Sequence, residues 1–303
     1  MNAPAAAIPI RIAVIGAGYH SRDHHLLSLR ALADAGRGVA VSVVCDLDQE
    51  LARTVAAPWG AAVTSDWRSL AGQADAALVC LPSAHTPAIA EGVSGLGLPV
   101  WVEKPLATSL ARAEALAAAL RTPAMVSVNR RFNPAVAQAW RWLGGRRVRR
   151  VEGLMRRADR REEAFLAETG LHLVDLAVAM AGAPAGAGSR RRAEGGDDLA
   201  WTSAAGIEAL VRIRPRAGVE DETLTLEGDG WRLVIDVWGV GLRMEESGAV
   251  QTWALPASAP LWERSGALAE TAAFVDAVDG RGRWWPTPAE VLPATRLCHL
   301  PAV

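Results

Sequence analysis

Apolar and polar positions in the first half of the chain fall into alternating blocks. From Ile10 to Ile15 a short, β-branched apolar run has the length of a buried strand, and it breaks at Gly16-Ala17-Gly18. A helical spacing follows through Leu26, Leu27, Leu29 and Leu32 and stops near Gly36. A second apolar run, Val39 to Cys45, ends in Asp46. The alternation continues with a helix near 49–57, strands at 61–64 and 76–81, a helix at 87–94, a strand at 100–102, an alanine-rich helix at 109–120 and a strand at 125–128. Strands alternating with helices predict an α/β domain built on a doubly wound parallel sheet, with helices on both faces.

Beyond Asn129 the pattern changes. Helices are predicted at 134–143 and 162–180, and strands at 148–155, 207–213, 223–226, 231–237 and 241–245, with hairpin chemistry in Glu227-Gly228-Asp229-Gly230. This predicts a C-terminal α+β domain on a mainly antiparallel sheet, and a division into residues 1–128 and 129–303. The stretch 182–196, dense in Gly, Ala and Arg, reads as a mobile loop. A helix at 268–278 and the segment up to Leu300 close the chain, and the tryptophans between Trp201 and Trp285 read as core or subunit-interface residues.

Composition narrows the function classes. With 32 basic and 33 acidic residues there is no overall field to hold a nucleic acid or an anionic membrane. The arginines between 146 and 161 alternate with Glu152 and Asp159 and run into Glu162 and Glu163, the pattern of a solvated face. Cys45, Cys80 and Cys298 form no paired motif, which suits reduced thiols and a cytoplasmic location. Residues 1–10 lack a basic n-region and contain two prolines, so they do not read as a signal peptide, and no uninterrupted apolar run is long enough to span a bilayer.

Candidate chemistry sits at three places. Gly16 and Gly18 are the first two glycines of a dinucleotide fingerprint, with Ser21 in the third place; their role is a tight turn that brings a pyrophosphate against the opening of the next helix. Asp46 ends the next strand, where a carboxylate accepts from a ribose diol and repels a 2′-phosphate, favouring NAD over NADP; a helix N-cap is the other reading of the same residue. Lys104 is the only lysine, every other basic side chain of the 32 being arginine. Lysine exchanges its proton far more readily than arginine, so its solitary use in Glu103-Lys104-Pro105 points to chemistry. Glu168, His172 and Asp175 lie at i, i+4 and i+7, on one face of a helix rich in leucine and valine. A histidine in such company serves either in the core or in catalysis, and one Glu with one His makes an incomplete zinc set, so no metal is expected. His24 and His25 read as surface or cofactor-side residues.

Taken in order, Gly16-Ala17-Gly18, Glu103-Lys104-Pro105, Asn129-Arg130-Arg131-Phe132-Asn133-Pro134 and Glu168-x3-His172-x2-Asp175 resemble the successive signatures of the glucose-fructose oxidoreductase, inositol dehydrogenase and rhizopine-catabolism (Gfo/Idh/MocA) family. The resemblance implies a Rossmann domain followed by a domain with a large open sheet through which subunits form homo-oligomers. It implies hydride transfer between NAD(P) and a hydroxyl or keto carbon of a sugar, cyclitol or related small molecule. Carried over by position, Lys104 and His172 would be catalytic, and Glu168 would stand where relatives often carry aspartate. Tyr19, His20, Leu81, Pro82, Glu103 and Lys104 would join Gly16, Gly18 and Asp46 around the cofactor. Lys104, Arg131, His172 and Asp175 would face the substrate, with an interdomain ion pair as the other reading of Arg131. The chemistry agrees, because an alcohol must lose a proton as its C–H bond breaks. An imidazole suits that exchange, and an ammonium suits the developing alkoxide. A glycoside hydrolase of the same fold that uses NAD transiently, or a dinucleotide sensor without a reaction, are the alternatives.

Overall fold

The computed structural model describes residues 9–303, so the reading of a targeting signal falls largely outside the described residues. The chain forms two compact units: one runs to Ser127 and adds Ala267–Pro288, and the other comprises Val128–Gly266 and Ala289–Val303.

The first unit is a six-stranded sheet in the order β3-β2-β1-β4-β5-β6. Its strands are β1 (Ile10–Ile15), β2 (Val39–Cys45), β3 (Ala62–Thr64), β4 (Ala76–Val79), β5 (Val100–Glu103) and β6 (Ala124–Ser127). Neighbouring strands are parallel throughout. A parallel sheet covered on both faces favours apolar side chains along its strands, and β4, β5 and β6 are buried end to end, with the polar Glu103 and Ser127 only at the carboxyl ends of β5 and β6. The connecting helices include α1 (Leu27–Asp34), α2 (Gln49–Ala56), α3 (Thr86–Gly95) and α4 (Leu110–Ala119). Asp48, rather than Asp46, caps α2: its side chain accepts from the backbone N–H groups of Glu50 and Leu51.

A single cut after residue 128 does not describe the chain, because the helix Ala267–Val278 returns to the first unit. Phe274 of this helix is fully buried, with its ring centroid 4.9 Å from that of Trp101 in β5. Glu270 accepts a hydrogen bond from the Ser127 hydroxyl at 3.1 Å. An apolar helix face contacting two tryptophan-lined positions supplies the reason for the return.

In the second unit, eight strands run in the order β14-β13-β12-β11-β7-β10-β9-β8. They are β7 (Arg150–Arg156), β8 (Ser189–Ala193), β9 (Gly196–Thr202), β10 (Glu208–Arg214), β11 (Asp221–Gly228), β12 (Trp231–Asp236), β13 (Gly241–Glu246) and β14 (Ala249–Ala254). β7 and β10 pair in parallel, and every other neighbour pair is antiparallel. Helices α5 (Pro134–Leu143) and α6 (Leu171–Ala181) share one core with the inward side chains Val151, Met155, Val211, Ile213, Leu224 and Leu226. Gly153 of β7 lets α6 come close, since a Cβ there would stand 3.2 Å from both Leu173 and Val211. On the alternate positions Glu152, Leu154, Leu210, Arg212, Thr223 and Thr225 are half-buried, and Arg212 pairs with Glu152.

The stretch expected to be a mobile loop is instead the edge hairpin β8–β9. Arg191 pairs in register with Asp198 and Arg192 with Asp197, and the ion pairs Arg191–Asp198 (3.0 Å), Arg190–Asp197 (2.8 Å) and Arg214–Asp198 (2.6 Å) tie it together. Charged side chains are what an exposed edge strand requires to resist pairing with other chains, and they conceal the strand from a search for apolar alternation. Among the described residues no helix is long and apolar enough to cross a membrane.

Candidate active site

The glycine turn is built from the backbone outward. Gly16 follows β1 with φ +96°, and a Cβ there would lie 2.1 Å from the carbonyl oxygen of Cys80. No other residue fits this crossing between the ends of β1 and β4. Gly18 has nothing within 4 Å of its would-be Cβ, so its open side is available to a ligand. Asp46 accepts from the Ala17 N–H at 2.7 Å through one carboxylate oxygen and from the Asp48 N–H at 2.9 Å through the other. The carboxylate therefore braces the turn from the end of β2, where a ribose would meet it.

Gly18, Tyr19, His20, Leu81, Pro82, Glu103 and Lys104, all expected at the cofactor, surround one cavity of about 280 Å³ in the first unit, together with Cys80. The ends of β1, β4 and β5 thus meet at the carboxyl edge of the sheet, where doubly wound folds bind their ligands. An open glycine, a braced turn and an acid after β2 fit a dinucleotide.

Beneath the cavity lies a cluster that the sequence did not announce. Glu103 is buried, and its Oε1 lies 2.5 Å from His25 Nε2 and 3.2 Å from His20 Nε2. Its other oxygen accepts from the Lys104 backbone N–H at 3.2 Å. Burial alone would raise the Glu103 carboxyl, but hydrogen bonds and charge from the two histidines outweigh it and hold the group well below the usual carboxylate range. Of the surface and cofactor-side readings of His25, burial overturns the first: the residue is 1% exposed, and its ring packs edge-on against Trp101 with centroids 4.4 Å apart. Within the π-helical turn Ser21–Leu26, His25 stands four and seven positions before Leu29 and Leu32 and is buried as they are. His24, half-buried beside them, is lowered to about 4 by burial and by the charges of His20 and His25.

The remaining candidates belong to the second unit. A second π turn, Leu166–Gly170, leads directly into α6. Glu168 in this turn is exposed, His172 is half-buried at the start of α6, and Asp175 is fully buried one turn further on. Arg131 forks onto Asp175, donating from Nε and Nη2 at 2.7 Å each, and donates again to the carbonyl of Glu290 at 3.1 Å. The side chains are 4% and 0% exposed, so the two groups anticipated as substrate contacts satisfy one another. Burial raises the Asp175 carboxyl although Arg131 opposes it.

Together, the 3-2-1-4-5-6 sheet, the glycine turn and the carboxylate after β2 define a dinucleotide-binding Rossmann unit followed by an open-sheet unit. Residues 10–130 match the family described as "Oxidoreductase family, NAD-binding Rossmann fold". The chain is 28% identical over 189 residues to a putative UDP-kanosamine synthase oxidoreductase subunit of Amycolatopsis mediterranei (strain S699), covering 57% of this chain and 52% of that protein. It is 33% identical over 150 residues to inositol 2-dehydrogenase 2 of Paenarthrobacter aurescens (strain TC1), covering 46% of this chain and 43% of that one. The matched part spans about half the length of these curated relatives. A Gfo/Idh/MocA family oxidoreductase from Vibrio cholerae shares the fold with a TM-score of 0.82 at 20% identity, over 95% of this chain and 96% of that one. Over residues 10–130 the chain is thus similar to the NAD-binding Rossmann unit of this oxidoreductase family, and over 95% of its length it has the fold of a solved Gfo/Idh/MocA member.

Proposed function

We propose that the protein is an NAD-dependent dehydrogenase or reductase acting at a CH–OH carbon of a sugar, cyclitol or related polyhydroxylated molecule. One observation carries the reading: the only lysine of the chain opens onto the same cavity as Gly18 of the glycine turn. When bound, NAD supplies the hydride acceptor or donor. Lys104 stabilises the oxygen of the reacting carbon as it gains negative charge, and His172 takes the hydroxyl proton in oxidation or returns it in reduction. Glu168, exposed one turn before His172, serves as a path between that imidazole and water. Glu103 fixes the turn that bears Lys104 through the hydrogen bond to its backbone N–H. Asp46 favours NAD over NADP because a 2′-phosphate beside it would set like charges together. Arg131 and Asp175 enter as the pair that holds α6, and through it His172, in place. The half-buried outer face of the second sheet is the surface through which copies of the chain assemble.

The test is Lys104→Met with NADH binding and turnover measured separately on a panel of inositols, pyranoses and anhydrosugars. Turnover is expected to fall by about 10²–10⁴-fold, while NADH fluorescence titration changes little. Undiminished turnover in the variant defeats the assignment.

A further inference from the structure

The π turn after the glycine loop brings two imidazoles onto Glu103 Oε1, the carboxylate oxygen that the hydrogen bond to the Lys104 backbone leaves unused. His20 immediately precedes this turn and His25 lies within it, five positions on, so the i to i+5 geometry brings the rings together with centroids 5.4 Å apart. One nitrogen of each and one oxygen of Glu103, a residue 78 positions beyond His25, all lie within 4.8 Å of one another. This is a two-imidazole, one-carboxylate set of the kind that holds zinc while leaving a position open.

We propose that His20 Nε2, His25 Nε2 and Glu103 Oε1 form a site for a divalent transition-metal ion of the zinc type, and that the ion and the dinucleotide exclude one another. Bonds of about 2.0–2.1 Å in a tetrahedral site place donor atoms roughly 3.4 Å apart. The His20–Glu103 pair at 3.2 Å is already at that spacing, and the His25–Glu103 pair at 2.5 Å has to open by less than the radius of an oxygen atom. His20, with 42% of its side chain exposed, gives the ion a route in from solvent. Exclusion follows from shared residues, since His20 and Glu103 also line the cavity formed with Gly18 and Lys104. Binding is tuned to be weak. His25 Nδ1 is buried with no hydrogen-bond partner, so a metal on Nε2 lacks the outer acceptor that normally orients a ligating histidine, a loss of about 10–100-fold in affinity. Such a site fills and empties with metal supply and acts as an inhibitory control on cofactor entry.

The experiment uses tag-free, chelator-treated full-length protein titrated with Co²⁺, read by its visible absorption bands, and with Zn²⁺ in competition. One equivalent is expected to bind, at least tenfold more weakly in His20→Ala, a substitution of a partly exposed side chain whose fold is checked by circular dichroism. Saturating NADH is expected to weaken apparent Co²⁺ affinity in the unmodified protein. Absence of stoichiometric binding, or equal affinity in His20→Ala, overturns the site; a Co²⁺ affinity indifferent to NADH overturns the exclusion. Because the readout is optical and needs no substrate, failure here is separable from failure of the proposed redox reaction.

Discussion

Replacing Asp175 by Asn tests whether the pair beneath α6 is the support that catalysis rests on. Asn keeps one acceptor but loses the charge and the second arm of the fork, leaving the Arg131 guanidinium in a site where its side chain is only 4% exposed. Breaking a buried pair from one side costs about 3–5 kcal/mol, because the surviving charge keeps neutral acceptors such as the Glu290 carbonyl but loses its counter-charge in a site shielded from water. For a unit of this size that corresponds to a fall in Tm of roughly 10 °C. Urea denaturation followed by tryptophan fluorescence is expected to show the loss in the midpoint at unchanged slope. In the same variant turnover should drop more than NADH affinity, since His172 sits on the same helix one turn before Asp175. The pair's net worth is a separate quantity. Burial raises the Asp175 carboxyl in spite of Arg131, so much of the attraction is spent on desolvation. A group raised in the folded state adds stability that is present below its unfolded pKa and lost as pH rises through the folded value. Near neutrality, therefore, the double variant Arg131→Met/Asp175→Leu should lie within about 1–2 kcal/mol of the parent, the lost contact to the Glu290 carbonyl included. A single variant that loses under about 1 kcal/mol, or a double variant as unstable as the single, refutes the reasoning.

Two further outcomes follow from the first unit. Gly16→Ala meets both a φ of +96° and a carbonyl oxygen 2.1 Å from the new Cβ, whereas Gly36→Ala, at φ +80°, meets nothing within 4 Å. Thermal melts should show about 1–2 kcal/mol lost at Gly36 and clearly more at Gly16, with NADH binding lost only at Gly16; equal costs would contradict the steric account. His24 is lowered to about 4, so between its unfolded value and that pH the unfolded chain binds the proton more readily. Stability should fall as pH drops from about 6.5 to 4, by about 1–2 kcal/mol after allowance for a half-buried site, and His24→Gln should flatten that slope.

The doubly wound half was legible because its physics is one-dimensional. A parallel strand covered on both faces has few polar positions, at its ends, so β4, β5 and β6 stand out as apolar blocks, and the turns between blocks carry the glycines and the acid that a dinucleotide needs. Where the structure departs from the reading, charges are compensated at a distance along the chain. β8 is Ser-Arg-Arg-Arg-Ala, unreadable as a strand until Asp197 and Asp198 are known to lie opposite. His25 reads as either a surface or a cofactor-side residue, and its partner is Glu103, whose position in β5 no local pattern relates to residue 25. For Arg131 a substrate contact and an interdomain ion pair are both open in the sequence, and only the fold reveals that its partner is Asp175, within the same unit. A charge inside a sequence signature therefore raises two questions, what ligand it would bind and which distant residue neutralises it. In a chain whose sole lysine is a half-buried residue at the cavity beside the glycine turn, the arginine whose counter-charge is already in place is the one to set aside when substrate contacts are sought.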